Sequence, residues 1–550
     1  MIFLQILIFI ISIILLSLSI AGYGSLINLR IKKNFFLNIF LGFVIISLII
    51  TVIHFFFKIN LFISVLIFSL GISFFFYKKK FETSKFFQKE NLVYFIIILL
   101  FVPIFLSQKY HEDFGYYHLP YALGLIEEKI IFGFANIDKS FVYNSIWLNL
   151  YSIFFLHDKN FDFLTLPSFL LFLSFILFSF HKLTTKKEKS ISDYFLLLTI
   201  FYFTLKFTRI SEFGVDLPAA IFSILSIYYF LKFSEIDFRN ERKEYFFLTL
   251  FFSIFSILIK LSTLPVILLP IFLYIKYFKD LNLDVIRSRF LFLYILVTTF
   301  FIQQFVYTGC LFFPSNFTCF SVSWFSEEII NLSNQLELIN KSYFNGANET
   351  LNPNEYLKNF NWLIYWFKRN LIEISEHFLT MILPVLLFLF FQKKKIGKKS
   401  SFNDKLGIFL FLILGLLFWL NFSPVYRFAI NLFLTLAFVL LVRSLLSYNF
   451  SKKIFLIFFT VFIFFSFSKN IIRLTKVENI FLGVLKVDNK YITNEKSTNQ
   501  YIKTYQPDIK NNSINGWQGR LCWNIPFICS FNKLDIRKKN GYLIINKLIN

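Results

Sequence analysis

The chain has 550 residues, 57% of them hydrophobic and only 16% charged, with a mean hydropathy of +0.65. Those values exclude an ordinary water-soluble domain and make lipid the natural solvent. The net charge of +24 would point to nucleic acid in a soluble protein, but here Lys and Arg sit in short clusters between apolar runs, as topology signals do. The 85 Phe residues, beside abundant Ile, Lys and Asn and only 17 Gly, fit AT-rich coding and carry no functional message.

Residues 2–22 are apolar, without a basic leader or a small-residue cleavage site, so they read as a first transmembrane helix and not as a cleaved signal. Further apolar stretches follow at 35–57, 60–77, 91–107, 162–181, 191–208, 217–232, 245–260, 263–279, 290–306, 377–391, 405–420, 428–446 and 453–468. Measured against ~20 residues per bilayer crossing, this predicts about fourteen helices in an all-α polytopic bundle.

The basic clusters test that count. Arg30 and Lys33, Lys78 to Lys80, Lys186 to Lys189, Arg239 to Lys243, Lys276 to Arg289, Lys393 to Lys399, and Arg443 to Lys453 all fall on one side if the helices alternate. That side is expected to be cytoplasmic, with the N-terminus outside. Three longer segments then lie outside: 108–161, 307–376 and the tail 469–550. All four cysteines fall in the external segments, as the local pairs Cys310/Cys319 and Cys522/Cys529. Local pairs in an oxidising compartment predict disulfides. Neither pair has zinc-finger spacing, and no nucleotide-phosphate, haem or dinucleotide motif and no internal repeat is evident.

The first external loop opens with His111, Glu112, Asp113, Phe114, Gly115, Tyr116, Tyr117 and His118. Two carboxylates and two imidazoles at a membrane face can supply general bases, and they are compatible with a divalent cation without requiring one. Residues 126–153 mix apolar and polar side chains and suit helices along the interface.

Several stretches together resemble a family of large multi-pass bacterial membrane proteins, similar in layout to GT-C glycosyltransferases. They are the run from His111 to Phe155, "RISEFGVDLPA" from Arg209, "TGCLFFPSNFTCFSVSW" from Thr308, "SPVYRFA" from Ser423 and "GWQGRLCWNIPFIC" from Gly516. The resemblance spans about residues 105–530. It implies a sugar donor carried on a polyprenyl phosphate, a glycan or lipid acceptor, and an acidic catalytic residue in the first large external loop. Asp113 matches that position best, with Glu112 as the alternative; His118 is a third catalytic candidate, and His111 and Tyr117 are candidate substrate contacts. One departure is that three helices precede the helix leading into this loop, where the simplest GT-C layout has one in all.

Other charges at the external face are candidate substrate contacts. The turn Thr208–Asp216 holds Arg209, Glu212 and Asp216, and Lys260 ends an apolar run at the same face. Arg427 is the charged residue of the turn 421–427, on the side where positive-inside bias does not place it, and a guanidinium there can hold a lipid phosphate. His54, alone on an apolar run, reads as a packed residue. The expectation is transfer of a sugar from polyprenyl phosphate at the external face of a bacterial inner membrane. A polysaccharide polymerase or ligase, or a non-enzymatic lipid or glycan transporter, is the rival reading.

Overall fold

The computed structural model describes the chain apart from residues 1, 32, 79–88, 107–116, 155–164, 186–187, 207–213, 237, 282–286, 314, 345–350, 395–403, 476–503, 506–512, 515–516, 519–527, 530–533 and 548–550. Without water to bond peptide groups, a long apolar run satisfies its backbone internally by coiling. Helices accordingly follow the apolar stretches: α1 (Ile2–Ser25), α2 (Phe35–Phe56), α3 (Leu61–Lys78) and α4 (Lys89–Leu106) precede the first loop. Within that loop lie two short helices, α5 (Leu119–Glu127) and α6 (Ile146–Ile153). The central group is α7 (Leu166–Thr185), α8 (Ile191–Leu205), α9 (Asp216–Glu235), α10 (Arg239–Ile259), α11 (Leu268–Tyr277) and α12 (Arg287–Thr308). After α13 (Glu328–Asn340) and α14 (Pro353–Leu357) come α15 (Trp362–Phe390), α16 (Lys405–Phe422), α17 (Ile430–Leu446) and α18 (Lys452–Leu474).

The protein is an all-α polytopic bundle, and each expected apolar stretch is helical. Among the described residues, ten helices are long and apolar enough to cross a membrane, and the apolar segments 92–106, 191–205 and 261–277 are shorter. α10 opens on Arg239, Glu241, Arg242, Lys243 and Glu244, so its apolar part begins a turn later. α15 has 29 residues and starts at Trp362 rather than near 377, reaching well into the segment expected to be a loop.

The bundle has a buried centre and a lipid-facing rim. α9 is 94% buried across its apolar window, whereas α3, α15 and α18 are each 28% buried there. Helices inside pack through small and hydroxyl side chains, because lipid gives no hydrophobic incentive to associate. α1 and α3 touch where a Cβ on Gly22 would sit 1.8 Å from the Gly71 carbonyl oxygen, and Ser19 Oγ and Tyr23 Oη donate to Phe68 O and Ile67 O at 2.9 and 2.8 Å. α9 and α10 share two hydroxyl pairs at 2.7 Å, Ser223 with Ser256 and Ser226 with Ser253.

Inter-loop contacts agree with strict alternation. At one end, the basic end, Lys232 pairs with Glu235, Arg289 with Glu244 and Lys276 with Asp404, while Asn449 N donates to Lys393 O at 2.8 Å. Burial above all, with the charges of Lys78 and Arg289 adding to it, lowers the Lys33 pKa to about 8. The other end, the loop end, gathers the three long segments.

Four short strands, β1 (Thr504–Tyr505), β2 (Ser513–Ile514), β3 (Trp517–Gln518) and β4 (Ile528–Cys529), lead to a hairpin of β5 (Leu534–Lys539) and β6 (Tyr542–Lys547). Its turn is Asn540-Gly541, both with positive φ, which suits the tight right-twisted connection. The hairpin docks on the first loop. Phe132 N donates to Leu543 O and Ile545 N to Phe132 O, both at 2.9 Å, and Tyr542 Oη reaches Phe55 O at the end of α2. The Lys129 ammonium sits 3.7 Å over the Tyr542 ring.

Candidate functional site

Three of the charged residues picked from separate parts of the sequence meet at the loop end. Asp216 is the first residue of α9, where the helix dipole favours an anion. Lys260 caps the C-terminus of α10, where the dipole favours a cation, and its backbone N–H donates to Ser256 O at 2.9 Å. Arg427 lies in the helical turn 426–429 between α16 and α17. That turn is pinned by two indoles: Trp366 Nε1 donates to Pro424 O at 2.7 Å and Trp419 Nε1 to Val425 O at 2.8 Å.

The Lys260 ammonium donates to Asp216 Oδ1, and Arg427 Nε lies 3.2 Å from Asp216 Oδ2, at ion-pair distance but without hydrogen-bond alignment. Both cations also face Phe428, with Lys260 Nζ 3.2 Å and Arg427 Cζ 5.4 Å from the ring centroid. One carboxylate thus serves two cations, and the trio carries a net positive charge. All three side chains are 19–28% exposed, enough to touch a ligand and too little for full hydration. Beneath them, burial above all, and then the Asp216 charge, raises the Tyr151 hydroxyl pKa above its usual value.

A second group, absent from the sequence expectations, adjoins this one. Tyr426 stacks on His377 of α15 with centroids 4.3 Å apart, and His377 Nδ1 is 2.9 Å from Tyr202 Oη of α8. Next to His377, Glu376 pairs with Lys206 at the end of α8, and Lys469 of α18 is near enough to act on Glu376 electrostatically. Cations from α8, α10, α18 and the 426–429 turn therefore stand at the end that lacks the basic loops.

The described part of the first loop is firmly built in. Tyr117 and His118 open α5 with their rings 4.1 Å apart, and His118 is buried. Tyr121 Oη donates to Asn144 Oδ1 and Asn149 Oδ1 at 2.9 and 3.0 Å. The amides of Asn144 and Asn149 both donate to Gln303 Oε1 at 3.1 Å, and Asn149 also reaches Thr51 Oγ1 at 2.8 Å. This buried network ties the loop to α2 and α12, since unsatisfied polar groups there would be costly. α6, expected along the interface, presents no exposed face: Ile146 to Ile153 are all buried, packed against α2. His54 is likewise a packed residue, its Nε2 3.2 Å from Glu128 O.

Cys310 and Cys319 form the expected disulfide, at the mouth of α12. His111, Glu112, Asp113, Glu212 and Cys522 lie outside the described residues, as does the Cys529 side chain. Among the described residues no group of three His, Cys, Asp or Glu gathers as metal ligands.

A family model described as a domain of unknown function (DUF8201) matches residues 1–434. The chain belongs to the DUF8201 family. The DUF8201 match takes in Asp216, Lys260, His377 and Arg427 and ends within α17, so α18 and the C-terminal hairpin lie beyond it. No curated protein and no solved structure matches the chain.

Sequence reasoning passed over His377, Tyr202 and Lys206. Lys206 sits inside an apolar run and His377 at the edge of one, and neither neighbour is close in sequence. The one signal on offer was again a charge on the side where positive-inside bias does not put it.

Proposed function

We propose that this member of the DUF8201 family is a membrane glycosyltransferase of GT-C layout. It would move a sugar from a polyprenyl-phosphate donor to a glycan or lipid acceptor at the external face of a bacterial inner membrane. The observation that supports this most is the convergence of Lys260 and Arg427 on one carboxylate, Asp216, at the end of the bundle opposite the basic loops. Cations held in place beside lipid, with a counter-ion that a stronger anion can displace, suit the phosphate of a lipid-borne donor.

In this mechanism the acceptor hydroxyl oxygen attacks the anomeric carbon as the bond from that carbon to the phosphate oxygen breaks. The hydroxyl proton passes to Asp113. The electron pair leaves with polyprenyl phosphate, whose growing charge Arg427 and Lys260 stabilise. Glu112 and His118 are the alternative bases, and His111, Tyr117, Glu212 and Asp216 are the further candidate substrate contacts. The test is incorporation of radiolabelled sugar from synthetic polyprenyl-phosphate donors by the purified full chain in bilayer discs. Transfer by wild type that is lost in Asp113→Asn and needs more donor in Arg427→Lys supports the reading, and wild-type kinetics in both variants would overturn it.

A further inference from the structure

At the basic end, away from the site above, α2, α7, α9 and α10 line a partly open cavity of about 270 Å³. Its wall carries Lys182 of α7, Lys232 of α9, the loop residues Asn34 and Ser190, and the rings of Tyr228 and Tyr245. Glu235 also lines it, but that carboxylate is fully engaged. It accepts from the Lys232 ammonium at 2.7 Å and from Ser192 N and Oγ at 2.6 and 3.1 Å. The neighbouring Asp193 carboxylate accepts from Ser190 N and Oγ at 3.1 and 2.8 Å, closing a capping box on α8.

One donor in the wall is left over. Asn34 caps α2 by accepting Leu37 N on Oδ1 at 2.8 Å, which turns its amide nitrogen the other way, and Nδ2 is buried without a hydrogen-bond partner. A buried N–H of this kind calls for an acceptor. The cavity is far larger than the ~30 Å³ share of one water. Leu37 and Phe178 add an apolar stretch to its wall. Lys182 and Lys232 are the cations of the wall, and the Lys232 ammonium also donates to Ser190 Oγ at 2.8 Å.

We propose that this cavity is a phosphate-binding site, filled by the headgroup phosphate of an anionic membrane lipid, with Asn34 Nδ2, Lys182 and Lys232 as its donors. Asn34→Asp tests it at constant shape: the cap on α2 is kept, while the left-over donor in the wall becomes an anion. Lys182→Gln removes a cation without touching the Lys232–Glu235 pair. The full-length protein is purified in detergent with added phosphatidylglycerol, stripped by exchange into phosphatidylcholine micelles, and weighed by native mass spectrometry; in parallel, its thermal midpoint is read with and without millimolar inorganic phosphate. Retained phosphatidylglycerol should fall about tenfold in each variant, the factor expected for one charge-assisted hydrogen bond. If instead inorganic phosphate raises the wild-type midpoint and neither variant responds, the site stands and its ligand is a soluble phosphate. Lipid retention and phosphate response that are the same in wild type and both variants would overturn the proposal.

Discussion

Arg427 Nε stands 3.2 Å from Asp216 Oδ2, although the two residues come from turns on opposite sides of the central helices in sequence. Because Lys260 shares the same carboxylate, the two cations act as one unit and their effects on donor binding should not add. Arg427→Lys, which loses the planar fork, should raise the donor KM about tenfold with a smaller change in kcat. In a double-mutant cycle with Lys260→Gln, a coupling of about 0.5–3 kcal/mol is expected. Additivity within a few tenths would mean that they serve different ligands.

Asp113→Asn keeps size and hydrogen-bonding capacity but removes the proton acceptor, so transfer should fall at least ~100-fold. Membrane abundance should be unchanged. If the variant transfers normally, the base moves to Glu112 or His118, and the next measurement is the double replacement.

The Cys310–Cys319 link closes a short loop at the mouth of α12. Peptide mapping without reductant should recover it, together with the expected Cys522–Cys529 link. Replacing Cys310 and Cys319 by Ser should cost ~2–3 kcal/mol from lost loop closure, read as a lower unfolding midpoint in denaturant. An unaltered midpoint would show that the loop is ordered without the bond.

Sidedness follows from the two ends. In a background without native cysteines, Phe317→Cys, which is 91% exposed at the loop end, should react with an impermeant maleimide on spheroplasts. Tyr448→Cys, at the basic end, should react only after lysis. The reverse pattern would invert the protein and take the cation cluster to the cytoplasm.

Asn136 holds the tail in place: its Nδ2 donates to Trp324 O at 2.9 Å and to Ile545 O at 2.8 Å. Asn136→Ala strands two carbonyls and should weaken docking by ~1–3 kcal/mol. Limited proteolysis should then release a fragment containing 534–547 much faster than from wild type. Equal rates would assign the docking to the Phe132 strand contacts alone.

Much of the fold could be read from the sequence because lipid leaves the backbone so few choices. Even α9, expected over 217–232, forms a full 20-residue helix by taking in Asp216 at its start and Phe233 to Glu235 at its end. The two-ended layout was equally legible, since basic segments meet one another at one end, Lys276 on Asp404, Arg289 on Glu244 and Asn449 on Lys393, as the charge pattern required. What escaped was everything decided by packing between distant segments. Asp216, Lys260 and Arg427 were noticed singly, as charges at a boundary, and nothing in their spacing announces a shared carboxylate. The His377–Tyr202 contact and the Asn144–Asn149–Gln303 network were invisible for the same reason: each is a polar group buried by its partner, and the partners lie on different helices. The hairpin's landing place on Phe132 is set by backbone groups, which carry no side-chain signature at all.

That landing place has a consequence for biogenesis. Asn136 and Ile545 are separated by 409 residues, so the first loop is synthesised long before the strand that covers its edge exists. At ~5–20 residues per second of synthesis, the gap lasts roughly 20–80 s. For that interval Phe132 and its neighbours present an unpaired strand edge. A chain that stops before residue 534 therefore keeps α1 to α18 but leaves the edge at Phe132 open, so a lesion in the tail acts on the first loop.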